Sequence, residues 1–317
     1  MLKSTLLLTL SLAVGVAQAE TSEVVRDKLA QRAPDMLEAA EALSRSAPRN
    51  AEAWLLLARA QMMAGDFGAA VKSAERAVRL DRNDAAIQFA LGQAYGGNIN
   101  NVGMLSKLSY AGRIRDAFAR AVELDPDHLE ARSMMMLYYL QAPGIAGGSV
   151  AKAREQADEI AKRHPARGMV ARGHLLQAEE KHDEAIEAFR AAVAADTSLR
   201  GAYYQLGFAL QRQERWEDAF EAFAALVEAH PDEHGGLYQM GRTTALSGVR
   251  LEEGAAALLR YAEVAAGNGS YEMQHVHFRL GNIHEKAGRR EEAAQAYRAA
   301  LQEAPDFDDA RKALQAL

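Results

Sequence analysis

The sequence predicts an all-α protein built from repeated helix pairs. Its 317 residues are rich in helix formers such as Ala, Leu, Glu, Arg and Gln, and it has only seven prolines. Apolar residues make up 49% of the chain, which is enough to bury a core. A similar pattern of large and small residues returns at intervals of about 34 residues. These observations favour one extended array of helices over two globular domains.

The N-terminus, residues 1–19, has the three parts of a secretory signal peptide. Lys3 provides a basic start, an apolar stretch runs through Val16, and Ala-Gln-Ala at 17–19 fits a cleavage site. The apolar stretch is too short for a good transmembrane anchor, although an uncleaved anchor or a buried helix remains the alternative. We therefore expect a mature chain of residues 20–317 without a membrane span.

The chain contains no cysteine. An exported protein without cysteine has neither disulfides nor a thiol for lipid attachment, so its stability must come from packing. Zinc sites and nucleophiles that need cysteine are excluded as well. The net charge of −6 is mild and no block of basic residues stands out, so nucleic-acid binding is not expected. We expect the protein in a bacterial periplasm or in the medium beyond it.

The repeat is clearest at 203–231, "YYQLGFALQRQERWEDAFEAFAALVEAHP". Tyr203, Leu206-Gly207 and Leu210 fall at helical spacings and are followed by Ala219, Phe223 and Pro231. This segment resembles the tetratricopeptide repeat (TPR), with a large residue, Leu-Gly, a second large residue, Ala-x3-Phe and a closing Pro. Small residues let the two helices approach closely, large residues fill the seam, and the proline ends the unit.

Seven copies of this pattern cover nearly all of the mature chain. Their approximate bounds are 51–84, 85–128, 129–165, 166–199, 200–233, 234–270 and 274–307. Residues 21–47 predict two helices of a degenerate unit, and residues 308–317 predict a capping helix. The resemblance implies a right-handed α-solenoid in which the first helix of each pair (A) lines a concave groove and the second (B) forms the back. It also implies binding of protein segments in that groove.

Groove positions of the family carry aromatic and basic side chains in the C-terminal half of this chain. Such residue types anchor protein interfaces, although rings at these positions could equally pack against neighbouring A helices. We expect four rings to form one apolar strip beside the arginines. The predicted groove contacts are Tyr204, Phe208, Arg212, Tyr238, Arg242, Phe278 and Asn282.

Several chemical functions find no residues to carry them. The lysine–asparagine clamp with which some TPR domains grip a C-terminal carboxylate is absent, because the fifth helix-A position never carries lysine. The histidines near 275–284 lack the spacing of a metal site and are interpreted as core residues. No nucleophile motif, phosphate loop or catalytic carboxylate pair occurs. We therefore predict neither an enzyme nor a bound cofactor or metal.

Two turns between A and B helices are longer than the rest. The first, "GGNINNVGMLSKLSYAG" at 96–112, predicts extra turns of helix at the start of its B helix. The second, "QAPGIAGGS" at 141–149, lies in the next repeat, so the two should be neighbours. Either one turn packs on the other with Ile145 buried beneath it, or the two turns form a surface that binds a partner. The residues of this possible edge site are Asn98, Asn100, Met104, Pro143, Gly144 and Ile145.

The function predicted from these features is a non-enzymatic scaffold that binds one or more proteins of the cell envelope in its groove. The alternative is a periplasmic carrier or sensor that encloses a small ligand within the superhelix. The chain also resembles exported bacterial TPR proteins that carry an "APGI-x-GG" loop in one repeat.

Overall fold

The computed structural model describes residues 21–264 and 271–317. All regular structure in these two segments is helical, which confirms the predicted all-α solenoid. The predicted signal peptide at 1–19 lies outside the described residues.

The described helices form an N-terminal pair, seven repeat pairs and a cap. The N-terminal pair is α1 (Ser22–Ala30) and α2 (Met36–Ser46), and the cap is α17 (Asp308–Ala316). The A helices are α3 (Ala51–Met63), α5 (Ala85–Asn98), α7 (Leu129–Gln141), α9 (Pro165–Ala178), α11 (Arg200–Arg212), α13 (Gly235–Ser247) and α15 (Met273–Lys286). The B helices are α4 (Phe67–Leu80), α6 (Met104–Leu124), α8 (Val150–Arg163), α10 (His182–Ala195), α12 (Trp216–Ala229), α14 (Leu251–Val264) and α16 (Arg290–Glu303).

A glycine on helix A faces a large side chain on helix B in five of these pairs. A Cβ on Gly207 would lie 2.4 Å from the ring of Phe223, so only glycine permits this approach. The other four contacts of this kind are Gly92 with Phe118, Gly173 with Phe189, Gly241 with Leu258 and Gly281 with Tyr297. The third pair reverses the sizes, with Met136 on α7 and Ala157 on α8 in one core cluster. In six of the seven pairs the seam is therefore filled by one large residue against one small one.

The short turns between A and B helices each contain a residue with left-handed backbone. It is the fifteenth residue of its predicted repeat, with φ between +54° and +87°, at Gly65, Glu180, Glu214, Gly248 and Gly288. The equivalent residues of the second and third repeats are Ile99 and Pro143, with φ of −60° and −64°. Proline cannot adopt positive φ, and a β-branched residue does so only under strain. The connections between helices A and B in these two repeats are therefore longer.

Both longer connections use short helical turns. Residues 99–101 form a 3₁₀ turn before α6, which is 21 residues long where the other B helices have 14, so the predicted extra helix is confirmed. In the next repeat, Pro143 precedes a 3₁₀ turn at Gly144–Ala146, and the Ser149 hydroxyl caps α8 by accepting from the Lys152 amide at 3.3 Å.

The loop at 142–149 differs from expectation in two details. Of its glycines only Gly147 has positive φ, whereas Gly148 is needed because a Cβ there would lie 1.7 Å from the Ala142 carbonyl oxygen. Of the two alternatives for Ile145, burial under the other insertion is wrong, since its side chain is 83% exposed and Ala146 is buried instead. The Tyr138 hydroxyl donates to the Ala146 carbonyl and leaves the isoleucine on the outer side of the turn.

The A helices form the inner layer of the solenoid. Close backbone contacts join α1 to α3, α3 to α5, α7 to α9, α9 to α11 and α13 to α15. The backbones of α5 and α7, and of α11 and α13, approach each other less closely. Pockets open at both of these wider gaps.

Candidate functional site: the groove of the A helices

Four pockets follow one another along the A-helix face. They have volumes of about 760, 580, 210 and 600 Å³ from the N-terminal to the C-terminal end. Adjacent pockets share walls: Gln93 joins the first to the second, Met134 and Leu137 join the second to the third, and Gln205 joins the third to the fourth. The described part of the solenoid therefore has a groove that runs without interruption from α1 to α13.

The last of these pockets, named here the arginine pocket, lies in the gap between α11 and α13. Its lining residues are Gln205, Phe208, Gln211, Arg212, Trp216, Gln239, Arg242 and Leu246. Three of the predicted groove contacts, Phe208, Arg212 and Arg242, are thus brought together by the fold. The pocket offers two cations beside aromatic surface, which is the composition of a protein-binding anchor site.

A chain of hydrogen bonds fixes one wall of the arginine pocket. Arg242 Nη1 donates to Gln211 Oε1 at 2.7 Å, and Gln211 Nε2 donates to Thr243 Oγ1 at 2.7 Å. The hydroxyl of Thr243, which is fully buried, donates in turn to the Gln239 carbonyl at 2.7 Å. The buried side chains in this series of hydrogen bonds hold the Arg242 guanidinium in one orientation before any ligand binds.

The two arginines of this pocket have no acidic partner among the described residues. Arg242 bonds only to the neutral amide of Gln211, and Arg212 is exposed and makes no hydrogen bond or ion pair within the described segments. Arg250 contrasts with them, because it contacts both Glu217 and Glu221. The pocket therefore keeps a net positive charge that an incoming carboxylate can neutralise.

Gln239 adds an unused hydrogen-bonding group to the same wall. Its side chain is 4% exposed, and Nε2 donates to the Tyr271 hydroxyl at 2.6 Å. Oε1 is buried without a partner among the described residues. A buried polar atom left unpaired costs about 1–3 kcal/mol.

The four predicted rings do not form one strip, and that prediction is wrong. Tyr238 is 6% exposed and stacks on Tyr271 with centroids 3.8 Å apart, within a cluster that also contains Tyr261. Tyr271 lies between α14 and α15, outside the periodic pattern, and it covers the face of Tyr238 that the groove was expected to expose. Tyr238 is therefore a core residue and not a groove contact.

Tyr204 and Phe208 form a separate pair on α11. Their rings stack at 5.9 Å, and the edge of Phe208 meets Phe223 at 5.7 Å. The Tyr204 hydroxyl donates to Glu233 Oε1 at 2.9 Å. Burial and this carboxylate raise the pKa of Tyr204, so it remains a neutral donor. Of the two rings, Phe208 is the one that lines the arginine pocket.

The remaining predicted pair, Phe278 and Asn282, lies on α15 against the C-terminal repeat. Phe278 packs between Tyr297 and Phe307, at 5.8 and 5.2 Å between centroids. The Tyr297 hydroxyl donates to Asn282 Oδ1 at 2.9 Å. Both side chains are half-buried and do not line the arginine pocket.

His174 lies in the third pocket, next to the arginine pocket. Its ring meets Phe189 edge-on at 5.4 Å. Burial lowers the pKa of His174 to about 4, against an opposing hydrogen bond with Gln177, and the charge of Arg212 lowers it further. At neutral pH the His174 side chain is therefore uncharged.

The edge residues divide into one buried and five accessible members. Asn98 is 8% exposed and bonds to both Tyr110 and Asn101, so the prediction that it contacts a partner is wrong. The exposed members are Asn100, Met104, Pro143, Gly144 and Ile145. The two lengthened turns are neighbours as predicted, since Ile99 and Ala111 of the first line the same pocket as Ala142 and Pro143 of the second.

Sequence reasoning missed five residues of the arginine pocket: Gln205, Gln211, Trp216, Gln239 and Leu246. Gln211 occupies a groove-facing helix-A position and could have been included on that ground. Gln239 sits one place after such a position, and Trp216 begins a B helix. Neither of these two had a signal in the periodic pattern.

Two further observations concern the described residues alone. Residues 21–264 and 271–317 contain no group of three or more His, Asp or Glu side chains that could hold a metal ion. None of their helices is both long and apolar enough to cross a membrane.

Stacked antiparallel helix pairs with a small-to-large seam and a groove along one layer define a helical-repeat protein. Tetratricopeptide-repeat models match residues 51–94, 170–234 and 274–307. The chain is therefore a tetratricopeptide repeat protein. No curated protein matches its sequence.

Two solved structures share the fold. A chain of the APC/C hetero-tetramer Cut9–Hcn1 is 14% identical with a TM-score of 0.50; the match covers 94% of this chain and 56% of that one. TTC0263, a thermophilic TPR protein of Thermus thermophilus, is 17% identical with a TM-score of 0.51; the match covers 60% of this chain and 100% of that one. At these identities the likeness establishes the fold alone.

Proposed function

We propose that this protein is a non-enzymatic scaffold of the bacterial cell envelope that binds an acidic segment of a partner protein in its arginine pocket. The TPR family match supports a role in protein–protein interaction. The observation that carries the assignment to this pocket is the pair Arg212 and Arg242, two groove cations without a carboxylate among the described residues.

The lining of the pocket favours a peptide over a free anion. Phe208 and Trp216 provide apolar surface beside the cations, which an inorganic anion cannot use. An extended segment that carries Asp or Glu beside an apolar residue contacts the cations and the rings together.

The experiment is photo-crosslinking in the native host with benzoylphenylalanine in place of Phe208, followed by mass spectrometry. A second chain carries the crosslinker in place of Leu259, which is exposed on helix α14. We expect a defined partner at position 208 and not at 259. The double change Arg212→Gln and Arg242→Gln should reduce its yield at least about tenfold, since charged contacts in such sites contribute on the order of 2 kcal/mol.

Arg260→Gln is the matched control, because Arg260 is an exposed arginine of α14 outside the arginine pocket. Its crosslink yield should equal that of the unsubstituted chain. A partner whose yield is insensitive to the arginine pair, or which is captured equally at 259, would contradict the assignment.

Export to the envelope is part of the same proposal and rests on the features of residues 1–19. N-terminal sequencing of protein from the native host should begin at Glu20. A chain that retains Met1 would overturn the proposal of cleavage.

A further inference from the structure

A second pocket, named here the glycine pocket, occupies the other wide gap, between α5 and α7. Its volume is about 580 Å³, which is within the range of small-molecule sites. It is lined by Gly92, Gln93, Gly96, Gly97, Ile99, Ala111, Ile114, Phe118, Met134, Leu137, Tyr138, Gln141, Ala142 and Pro143. Almost all of these residues present apolar surface.

Both lengthened turns contribute walls to this pocket. Ile99 lies in the first one, and Ala142 and Pro143 lie in the second. The Tyr138 hydroxyl is held by the Ala146 carbonyl, which ties the second turn to α7. The two repeats that depart from the short turn therefore both contribute to this site.

The floor of the pocket is a helical segment with almost no side chains. Gly92 and Gly97 have packing reasons, since a Cβ would lie 2.5 Å from the Phe118 ring or 2.1 Å from the Phe67 ring. Gly96 has none, because a Cβ there meets no atom within 4 Å. Glycine inside a helix is about 0.5–1 kcal/mol less favourable than alanine. Gly96 thus weakens α5 and leaves the pocket open.

The lining determines the chemistry of the occupant. It contains no acidic or basic side chain, and its polar groups are the amides of Gln93 and Gln141, both exposed, and the engaged hydroxyl of Tyr138. A charged ligand would lose hydration without gaining a counter-charge. We propose that the glycine pocket binds a neutral small molecule that has an apolar body and a hydrogen-bonding end near the two glutamines.

The test uses two dyes with the same ring system, neutral N-phenyl-1-naphthylamine and anionic 8-anilino-1-naphthalenesulfonate. We expect saturable fluorescence with the neutral dye at a stoichiometry near one. Gly96→Phe places a ring in the open space and should weaken that binding by about tenfold or more, as expected for losing the burial of about two methylene groups. The sulfonate dye should not show this sensitivity, because the lining has no cation to hold it.

Gly112→Phe is the matched control. Gly112 is also helical, a Cβ there also meets no atom within 4 Å, and it does not line the pocket. Neutral-dye binding should be unchanged in this variant and in the Arg212/Arg242 variant, so this result is independent of the proposed scaffold function. Binding that is absent from the unsubstituted chain, or equal in Gly96→Phe, would overturn the proposal, provided that thermal melting shows both variants folded.

Discussion

The glycine pocket and the arginine pocket occupy equivalent gaps in the solenoid and differ in chemistry. Each lies where two consecutive A helices are spaced more widely than their neighbours. The twelfth and thirteenth repeat positions are Gly96 and Gly97 in one and Gln211 and Arg212 in the other. A similar gap between A helices can therefore hold either an apolar or a charged pocket, and the two side chains at the end of the first helix account for much of that difference.

The largest expected effect separates core rings from groove rings. Tyr238→Ala should lower the free energy of unfolding by about 3–5 kcal/mol, because it removes a buried ring that stacks on Tyr271. Phe208→Ala should cost less stability and more partner binding, since Phe208 is half-buried and lines the arginine pocket.

Urea denaturation measures the first quantity for both variants, and crosslink yield measures the second. Equal losses of stability in the two variants would remove the distinction between these rings.

The next effect concerns His174, which lies between the two pockets. Its pKa is about 4 in the folded chain and 6.5 without the fold, so the folded state binds the proton less readily. The stabilisation that neutral His174 gives to the folded state is complete above pH 6.5, and it is lost as the pH falls toward 4. The difference corresponds to at most about 3 kcal/mol.

Denaturation midpoints measured from pH 7 to pH 4 test this expectation. His174→Phe should make the profile flatter across that interval than in the unsubstituted chain. Parallel profiles would show that His174 is not the group responsible.

The smallest expected effect comes from two glycine-to-alanine substitutions that should change stability in opposite directions. Gly207→Ala should destabilise by about 1–3 kcal/mol, because its new Cβ would collide with the Phe223 ring. Gly96→Ala should stabilise by about 0.5–1 kcal/mol, because the site has room and alanine favours the helix. Melting temperatures of the two variants suffice, and a loss of stability in Gly96→Ala would contradict the open space described at the floor of the glycine pocket.

The repeat pattern was sufficient to predict most of the fold. Spacing of Leu-Gly and Ala-x3-Phe predicted the helix pairs because the seam between two helices accepts few combinations of residue size. The placement of Tyr238 failed for a different reason. Its covering partner, Tyr271, lies in a connection between helices, and periodicity says nothing about side chains there.

The candidate site was predicted only in part. Phe208, Arg212 and Arg242 were named from their helix positions, and the fold brings them to one pocket. Gln239 and the widened gap at the glycine pocket depend on distances between repeats, which a residue pattern within one repeat does not contain. Hydrophobicity alone left open whether Ile145 is buried or lies on the surface, and the tight 3₁₀ turn leaves it outside.

The left-handed residue of the short turns limits how the turn at 142–149 can be shortened by deletion. A deletion that trims 142–149 to a three-residue connection would leave Pro143 at the place where five other turns require positive φ. The same deletion combined with Pro143→Gly removes that obstacle. The pyrrolidine ring of Pro143 is thus what prevents the third repeat from adopting the short turn of the five others.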